Sequence, residues 1–254
     1  MHQALIGGSG FIGSFLASQE AFAAIYDSRS IAAIDGRHFD RIVCAGAPGL
    51  KWRANADPAA DRAAIARLWT HLSRARADHL TLISSIDIYP TPRAVDETTP
   101  PGIHPDAYGR HRRWLERRVA AHFPRHLIVR LPGLFGPGLR KNAVFDLLTG
   151  HQTHRLPARA SLQWYPLTRL PADLARIEAA QLDLINISPE PLAMTRLADI
   201  LAPGTQLADT DGPHYDVATI HAALLGGTGR YHVTAADTAA ALADFAANFT
   251  RNVV

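Results

Sequence analysis

Three glycines spaced three apart, Gly7, Gly10 and Gly13, stand where an apolar stretch (QALIG, residues 3–7) gives way to Phe11, Ile12, Phe15 and Leu16 at helical spacing. Each glycine has a use if a diphosphate sits there. The first permits a tight turn out of a strand, the second lets the backbone approach the phosphates, and the third lets a helix pack closely on a sheet. The helix start, at Phe11 and Ile12, then offers N–H groups and the positive end of its dipole. A glycine triplet alone is a weak signal. A strand before it and a helix after it make it a signal for dinucleotide binding. Asp27 ends the next apolar stretch, residues 22–26, where a carboxylate can accept hydrogen bonds from an adenosine ribose. That favours NAD. Ser28 and Arg29 follow at once and could instead hold the extra phosphate of NADP. Asp27 could equally close a turn, so these alternatives stay open.

The elements that must carry such a loop follow from periodicity. Residues 3–7, 22–26, 41–45, 79–84 and 126–131 read as strands, and 184–187 as a late one. Between them, residues 61–75 place Ile65, Leu68, Trp69 and Leu72 on one helical face. Another helix starts at Asp173, and residues 234–249 form a helix capped by Thr234 and Asp237. After Pro132 the pattern loosens into a loop-rich segment with Gly133, Gly136, Pro137 and Gly138. Strands alternating with helices imply an α/β fold, a Rossmann-like doubly wound parallel sheet with a small C-terminal substrate-binding part. Residues 1–131 would form the NAD(P)-binding core, segments near 164–187 would return to it, and 132–254 would mainly face substrate, all packed as one unit.

Bulk properties narrow the classes. The chain has 254 residues, 47% hydrophobic and 19% charged, with a formal charge of +3. Without a clustered patch that charge is too mild for nucleic acid. No apolar run approaches the roughly 20 residues of a membrane span, and the start does not read as a signal peptide. The expectation is a soluble cytoplasmic protein without nucleic-acid or membrane partners. Cys44 is the one cysteine, so no internal disulfide can form, and its apolar setting reads as core. His151 and His154 lack a third clustered ligand, so no metal site is expected. Lys51 and Lys141 are the only lysines in a chain that otherwise uses arginine.

Further motifs then point to a family. AGAPG at 45–49, SSIDIY at 84–89, YGRHRRWLE at 108–116 and RLPGLFGPG at 130–138 follow GGSGFIG at 7–13. In this order the chain resembles the extended short-chain dehydrogenases/reductases, which include UDP-galactose 4-epimerase, nucleotide-sugar dehydratases and dTDP-4-keto-rhamnose reductase. The resemblance implies a nucleotide-sugar epimerase or ketoreductase, with cofactor contacts extending to Ala45, Gly46 and Pro132. It implies that Tyr108 is the acid/base and Ser85 its partner at the substrate hydroxyl. The chemistry agrees, because moving a hydride at a carbinol carbon requires a proton to leave or join the oxygen. A tyrosine does this once a fixed cation pulls its pKa below about 10.

Where the family has lysine, four residues after the tyrosine, this chain has Arg112, which shares a helical face with Tyr108. Arginine supplies charge and can hydrogen-bond ribose hydroxyls, but it cannot relay a proton. That leaves a non-catalytic NAD(P)-binding regulator as the rival reading. Asp87 would share a side with Ser85 if strand geometry persisted past Ser85, and could act as a base or bind a hydroxyl. The acid pair that dehydratases carry after the serine position is incomplete here, since Ile86 takes its first place. Lys51, after the third strand, and Lys141 with Asn142, after the RLPGLFGPG segment, are candidate contacts to the substrate and its diphosphate. The family resemblance also implies a homodimer.

Overall fold

A computed structural model describes residues 2–249. In chain order its elements are β1 (Gln3–Ile6), α1 (Phe11–Gln19), β2 (Ala24–Tyr26), β3 (His38–Cys44), α2 (Lys51–Ala56), α3 (Pro58–Leu72) and β4 (Arg76–Ser85). There follow β5 (Arg93–Val95), α4 (Ala107–His122), β6 (His126–Leu131), β7 (Gly133–Phe135), α5 (Ala143–Thr149), β8 (Pro157–Leu162) and β9 (Trp164–Pro166). The chain continues with α6 (Leu170–Ala179), β10 (Leu184–Asn186), β11 (Leu192–Ala193), α7 (Met194–Leu201), β12 (Ala208–His214), β13 (Asp216–Val217) and α8 (Ala235–Ala247). Two compact units result. The first holds the described residues up to Thr91 together with Glu97–Leu131 and Leu174–Asn186. The second holds Pro92–Asp96, Pro132–Asp173 and the described residues from Ile187 onward.

The first unit is built on one parallel sheet in the order β10-β6-β4-β3-β1-β2. Its inner strands are nearly continuous apolar runs, as strands covered on both faces must be. The chain leaves β1 to place β2 on one side, then returns to place β3 on the other. Strand order therefore reverses between β1 and β3, the point at which open α/β sheets form a crevice outside their carboxyl ends. Ile6 is level with Cys44 in the register, so the loops after β1 and β3 leave side by side.

Two helices bear on that edge. In α3, Asp57 caps the start by accepting from the Ala60 N–H at 3.0 Å, with Pro58 in the first turn. Its buried face is Ile65, Leu68 and Leu72, but also Asp61. In α4 the buried face includes Tyr108, Arg112, Leu115, Glu116 and Val119. Both helices thus bury ionisable groups, which must find partners.

The second unit contains β8 flanked by antiparallel β11 and parallel β12, the parallel pairs β7–β9 and β5–β13, and α5, α7 and α8. The segment expected to be irregular after Pro132 is in part the strand β7. All six expected strands are present, with ends moved by up to three residues. His38 pairs with Arg76, so the ladder between β3 and β4 runs on past the apolar pattern into polar residues. The helix expected at Asp173 begins three residues earlier, at Leu170. Among the described residues, no helix is long and apolar enough to cross a membrane.

The cap expected at α8 is present. Thr234 Oγ1 accepts from the Asp237 N–H at 3.0 Å and donates to Asp237 Oδ2 at 2.7 Å. Thr234→Ala is expected to lower stability by about 1 kcal/mol, the usual worth of such a cap. Urea unfolding checks this.

Candidate active site

The loop after β1 is shaped by its glycines in different ways. Gly7 has φ +92°, and a Cβ there would lie 2.5 Å from the Ala45 carbonyl oxygen. A Cβ on Gly13 would overlap the Gly7 carbonyl. These two glycines are demanded by the fold itself. Gly10 is less strictly held, since its Cβ would lie 3.3 Å from the Gly7 carbonyl oxygen, a tight approach that a small shift could relieve. Gly10 is also the N-cap of α1, and no side chain caps that helix. A bare helix start that opens on a glycine loop fits a diphosphate. Ala45 and Gly46 follow β3 across from this loop.

Asp27 follows β2. Its Oδ1 accepts from the Arg29 N–H at 2.8 Å, the Ser30 N–H at 3.0 Å and the Ser30 hydroxyl at 3.1 Å, while Oδ2 takes Arg29 Nη2 at 3.1 Å. The Arg29 and Ser30 N–H groups, with the Arg29 guanidinium, hold its carboxyl down to about 2. The carboxylate thus closes a turn. Its Oδ2 is blocked only by Arg29, a side chain 90% exposed and free to swing aside. Ser28, beside them, is exposed.

At the same edge of the sheet, β4 ends on Ser85, whose hydroxyl lies near enough to the Tyr108 phenol to lower its pKa. The strand does not persist to Asp87. Residues Ile86–Ile88 form a 3-10 turn, and the Asp87 N–H donates back to Ser85 Oγ at 3.1 Å. The same-side expectation for Ser85 and Asp87 thus fails, because a serine hydroxyl that accepts from the next N–H but one stabilises a turn. Asp87 instead accepts from Lys51 Nζ at 2.7 Å, so Lys51 joins this group. The Arg112 guanidinium carbon lies 3.7 Å from the centre of the Tyr108 ring. Burial pushes the phenol above its ordinary value, and the Arg112 charge pulls it down without overcoming that. The lowered tyrosine expected from the sequence is therefore not what these groups produce by themselves.

Several contributing residues carried no sequence signal beyond their motif. A Cβ on Gly109 would lie 2.5 Å from the Asp87 carbonyl and the His104 ring. Only glycine lets the start of α4 press onto the turn after β4. Asn55, on α2, accepts the Tyr108 N–H at 3.0 Å, supplying a partner to a first-turn donor. Two turns on, Glu116 is fully buried. It accepts from Arg130 Nε at 3.0 Å and Nη2 at 2.9 Å, from the Ser84 hydroxyl at 2.6 Å, and from Arg113 Nη1 at 3.0 Å. Arg130 Nη1 continues to the Tyr89 hydroxyl at 2.8 Å, which Asn186 Nδ2 also reaches at 3.2 Å. Burial alone would lower the Arg130 pKa; its bonds to Glu116 outweigh that and raise it.

Pro132, Lys141 and Asn142 belong to the second unit. Pro132 precedes β7. Asn142 is the N-cap of α5: its Oδ1 accepts from the Phe145 N–H at 3.1 Å and its Nδ2 donates to the Leu134 carbonyl at 2.8 Å. Lys141 is exposed at the surface, and partial burial lowers its ammonium pKa.

No family model matches the sequence, and no curated protein matches it; the likeness to known proteins is one of fold. A dTDP-4-dehydrorhamnose reductase from Yersinia enterocolitica superposes with a TM-score of 0.76 at 14% identity, over 98% of this chain and 100% of that one. A UDP-glucose 4-epimerase from Thermotoga maritima, solved with UDP-glucose, gives 0.72 at 13% identity, over 96% and 98%. A double mutant of DesIV, a dTDP-glucose 4,6-dehydratase from Streptomyces venezuelae with NAD bound, gives 0.73 at 18% identity, over 98% and 97%. The fold is therefore Rossmann-like α/β. Within that class it is the fold shared by this reductase, this epimerase and this dehydratase.

The Glu116–Arg130 pair makes a sharp expectation. Removing one member of a buried pair strands the other charge and costs about 3–5 kcal/mol, whereas replacing both can be neutral. Glu116→Gln and Arg130→Met should each lower the urea midpoint strongly, and the double variant should recover much of the loss. Additive losses would show that the pair does not act as a unit.

Proposed function

We propose that the protein is an NAD(P)-dependent oxidoreductase or epimerase of the extended short-chain dehydrogenase/reductase family acting on a nucleotide sugar, with Ser85, Tyr108 and Arg112 as its proton-handling group. The observation that carries this reading is Arg112 stacked on the Tyr108 ring, with Ser85 near the phenol, at the sheet edge that also bears the glycine loop. When bound, the nicotinamide supplies the hydride donor or acceptor. The chain's own groups do the rest. Gly7, Gly10 and Gly13, with the first-turn N–H groups of Phe11 and Ile12, receive the diphosphate. Asp27 accepts from the adenosine ribose once Arg29 moves off, which favours NAD over NADP. Arg112 Nε, buried and without a hydrogen-bond partner, is the donor available to a ribose oxygen. Ser85 orients the substrate oxygen, and Tyr108 gives or takes the proton there.

Two features favour ketoreduction. A phenol raised above its ordinary value by burial stays protonated at neutral pH, as a proton donor to a carbonyl oxygen must. The buried, apolar Ile86 beside Ser85 leaves the acid pair of a dehydratase incomplete. In this reading the second unit faces the substrate, with Lys141 meeting its diphosphate. A homodimer through α3 and α4 belongs to it as well. The rival, a non-catalytic nicotinamide-binding regulator, draws on Arg112 being committed to protein partners and unable to relay a proton. The two separate on denaturing the purified protein: a catalyst releases both oxidised and reduced nicotinamide, and a regulator has no reason to carry the mixture.

Tyr108→Phe is expected to leave NADH binding unchanged and to lower turnover by at least about 100-fold, the usual contribution of general acid–base catalysis. With the parent, carbonyl reduction should hold steady from neutral pH and fall only in strongly alkaline solution, because burial raises the pKa at which the donor phenol loses its proton; a fall near neutral pH would contradict the assignment. Lys141→Ala should weaken nucleotide-diphosphate binding by about 1.5–3 kcal/mol if a charge-assisted phosphate contact is lost. Isothermal titration reads this, and parent-like affinity would return Lys141 to the plain surface.

A further inference from the structure

Asp61 sits on a helix face that is otherwise apolar, four residues before Ile65 and seven before Leu68. Its side chain is 4% exposed. A carboxylate in such a place is costly unless paired. Its Oδ2 accepts from His111 Nδ1 at 2.7 Å and from Arg112 Nη1 at 2.6 Å. Arg112 Nη2 meanwhile donates to the Pro48 carbonyl. The guanidinium is thus gripped at two corners, from α3 and from the loop after β3, and its carbon rests 3.7 Å from the Tyr108 ring centre.

We propose that Asp61 is a positioning residue for Tyr108: it holds the Arg112 guanidinium on the phenol ring, so that Asp61 and Arg112 act as one unit. The inference rests on Tyr108 being the acid/base group. A planar fork can hydrogen-bond at two corners while its face lies on a ring; an ammonium has one centre and no face. Lysine at position 112 would be drawn to the Asp61 carboxylate and away from the ring. The arginine is therefore built into this site, and restoring the family's lysine does not restore the site.

The charges around Tyr108 define the test. Lys51 on α2 and Asp87 in the turn after β4 face it as a salt-bridged pair, with the Ser85 hydroxyl between strand and turn. His104 lies against Gly109, and its own ionisation feels Lys51 and Asp87. Arg112 faces the ring from α4, with Asp61 and His111 on its far side. Among these, Asp61 offsets the cation in contact with the ring.

Tyrosine labelled with ¹³C at Cζ reports the ionisation of Tyr108 by NMR, its line assigned by absence in Tyr108→Phe. In Asp61→Asn the amide oxygen still accepts from Nη1, but the offsetting charge is gone, so the Tyr108 midpoint should fall by about one unit, the size of effect a nearby charge exerts. In Arg112→Lys it should rise, because the cation leaves the ring, and turnover should drop more than tenfold. A parent-like or raised midpoint in Asp61→Asn overturns the proposal, as does a parent-like or lowered one in Arg112→Lys. Circular dichroism establishes that each variant is folded, and either variant decides alone if the other is not. The titration needs no turnover, so it answers even if the chain proves not to be an enzyme. Lost turnover in Tyr108→Phe tests that separate question.

Discussion

The buried pair of Glu116 and Arg130 is the constraint on which the candidate site depends. It joins α4 to β6, and through Ser84 to β4. A helix packed on a sheet by apolar contact alone can slide, because such contacts are tolerant of small shifts. A bidentate arginine–carboxylate bond inside the protein is not, since its geometry is fixed and its charges cannot fall back on water. Glu116 lies eight residues after Tyr108, about two turns along the same helix. The clamp therefore fixes the rotation and height of α4, and with them the place at which Tyr108 meets Ser85. Gly109 and Asn55 complete this at the other end, one by permitting contact with the turn after β4 and the other by accepting the Tyr108 N–H.

Tyr108 itself sits between opposing effects. Its surroundings hold two cations, but each has a counter-ion: Lys51 has Asp87, and Arg112 has Asp61. The fields partly cancel, and desolvation decides the outcome, leaving the phenol protonated. This differs from a bare cation beside a tyrosine, the arrangement that spacing along a helix suggests. A local motif cannot show compensation, because each counter-ion comes from another element.

That distinction separates what the sequence revealed from what it concealed. The parallel sheet was legible because its strands are apolar runs broken by glycine and polar residues. The glycine loop was legible because a strand and a helix bracket it within 20 residues. The pairing of Ser85 with Tyr108 followed from a family resemblance and not from periodicity. Strand ends were misjudged at His38 and Arg76, where backbone pairing outlasts the apolar pattern. Whether the strand persisted past Ser85 was left open in the sequence, since Ile-Asp-Ile alternates like a strand, and only the Asp87 N–H bond to the Ser85 hydroxyl reveals the turn at Ile86–Ile88. Asp61 was invisible as a site residue. In sequence it is one acid among the polar positions of a helix, and its meaning lies in Arg112, 51 residues away.

Arg112 also bears on how composition should be weighed. With two lysines in the whole chain, arginine at any basic position looks like drift. Drift alters a single side chain. It does not place a carboxylate on the apolar face of another helix, nor turn the Pro48 carbonyl toward the second corner of the guanidinium. A buried carboxylate is destabilising unless a cation meets it, so Asp61 and Arg112 are each acceptable only in the presence of the other. The uncommitted Nε then acquires significance. It is a buried donor without a partner, a costly condition that folded proteins rarely leave standing, in a guanidinium whose other corners are both in use. An acceptor supplied by a bound ribose would remove that cost, and would couple cofactor binding to the same side chain that rests on the phenol.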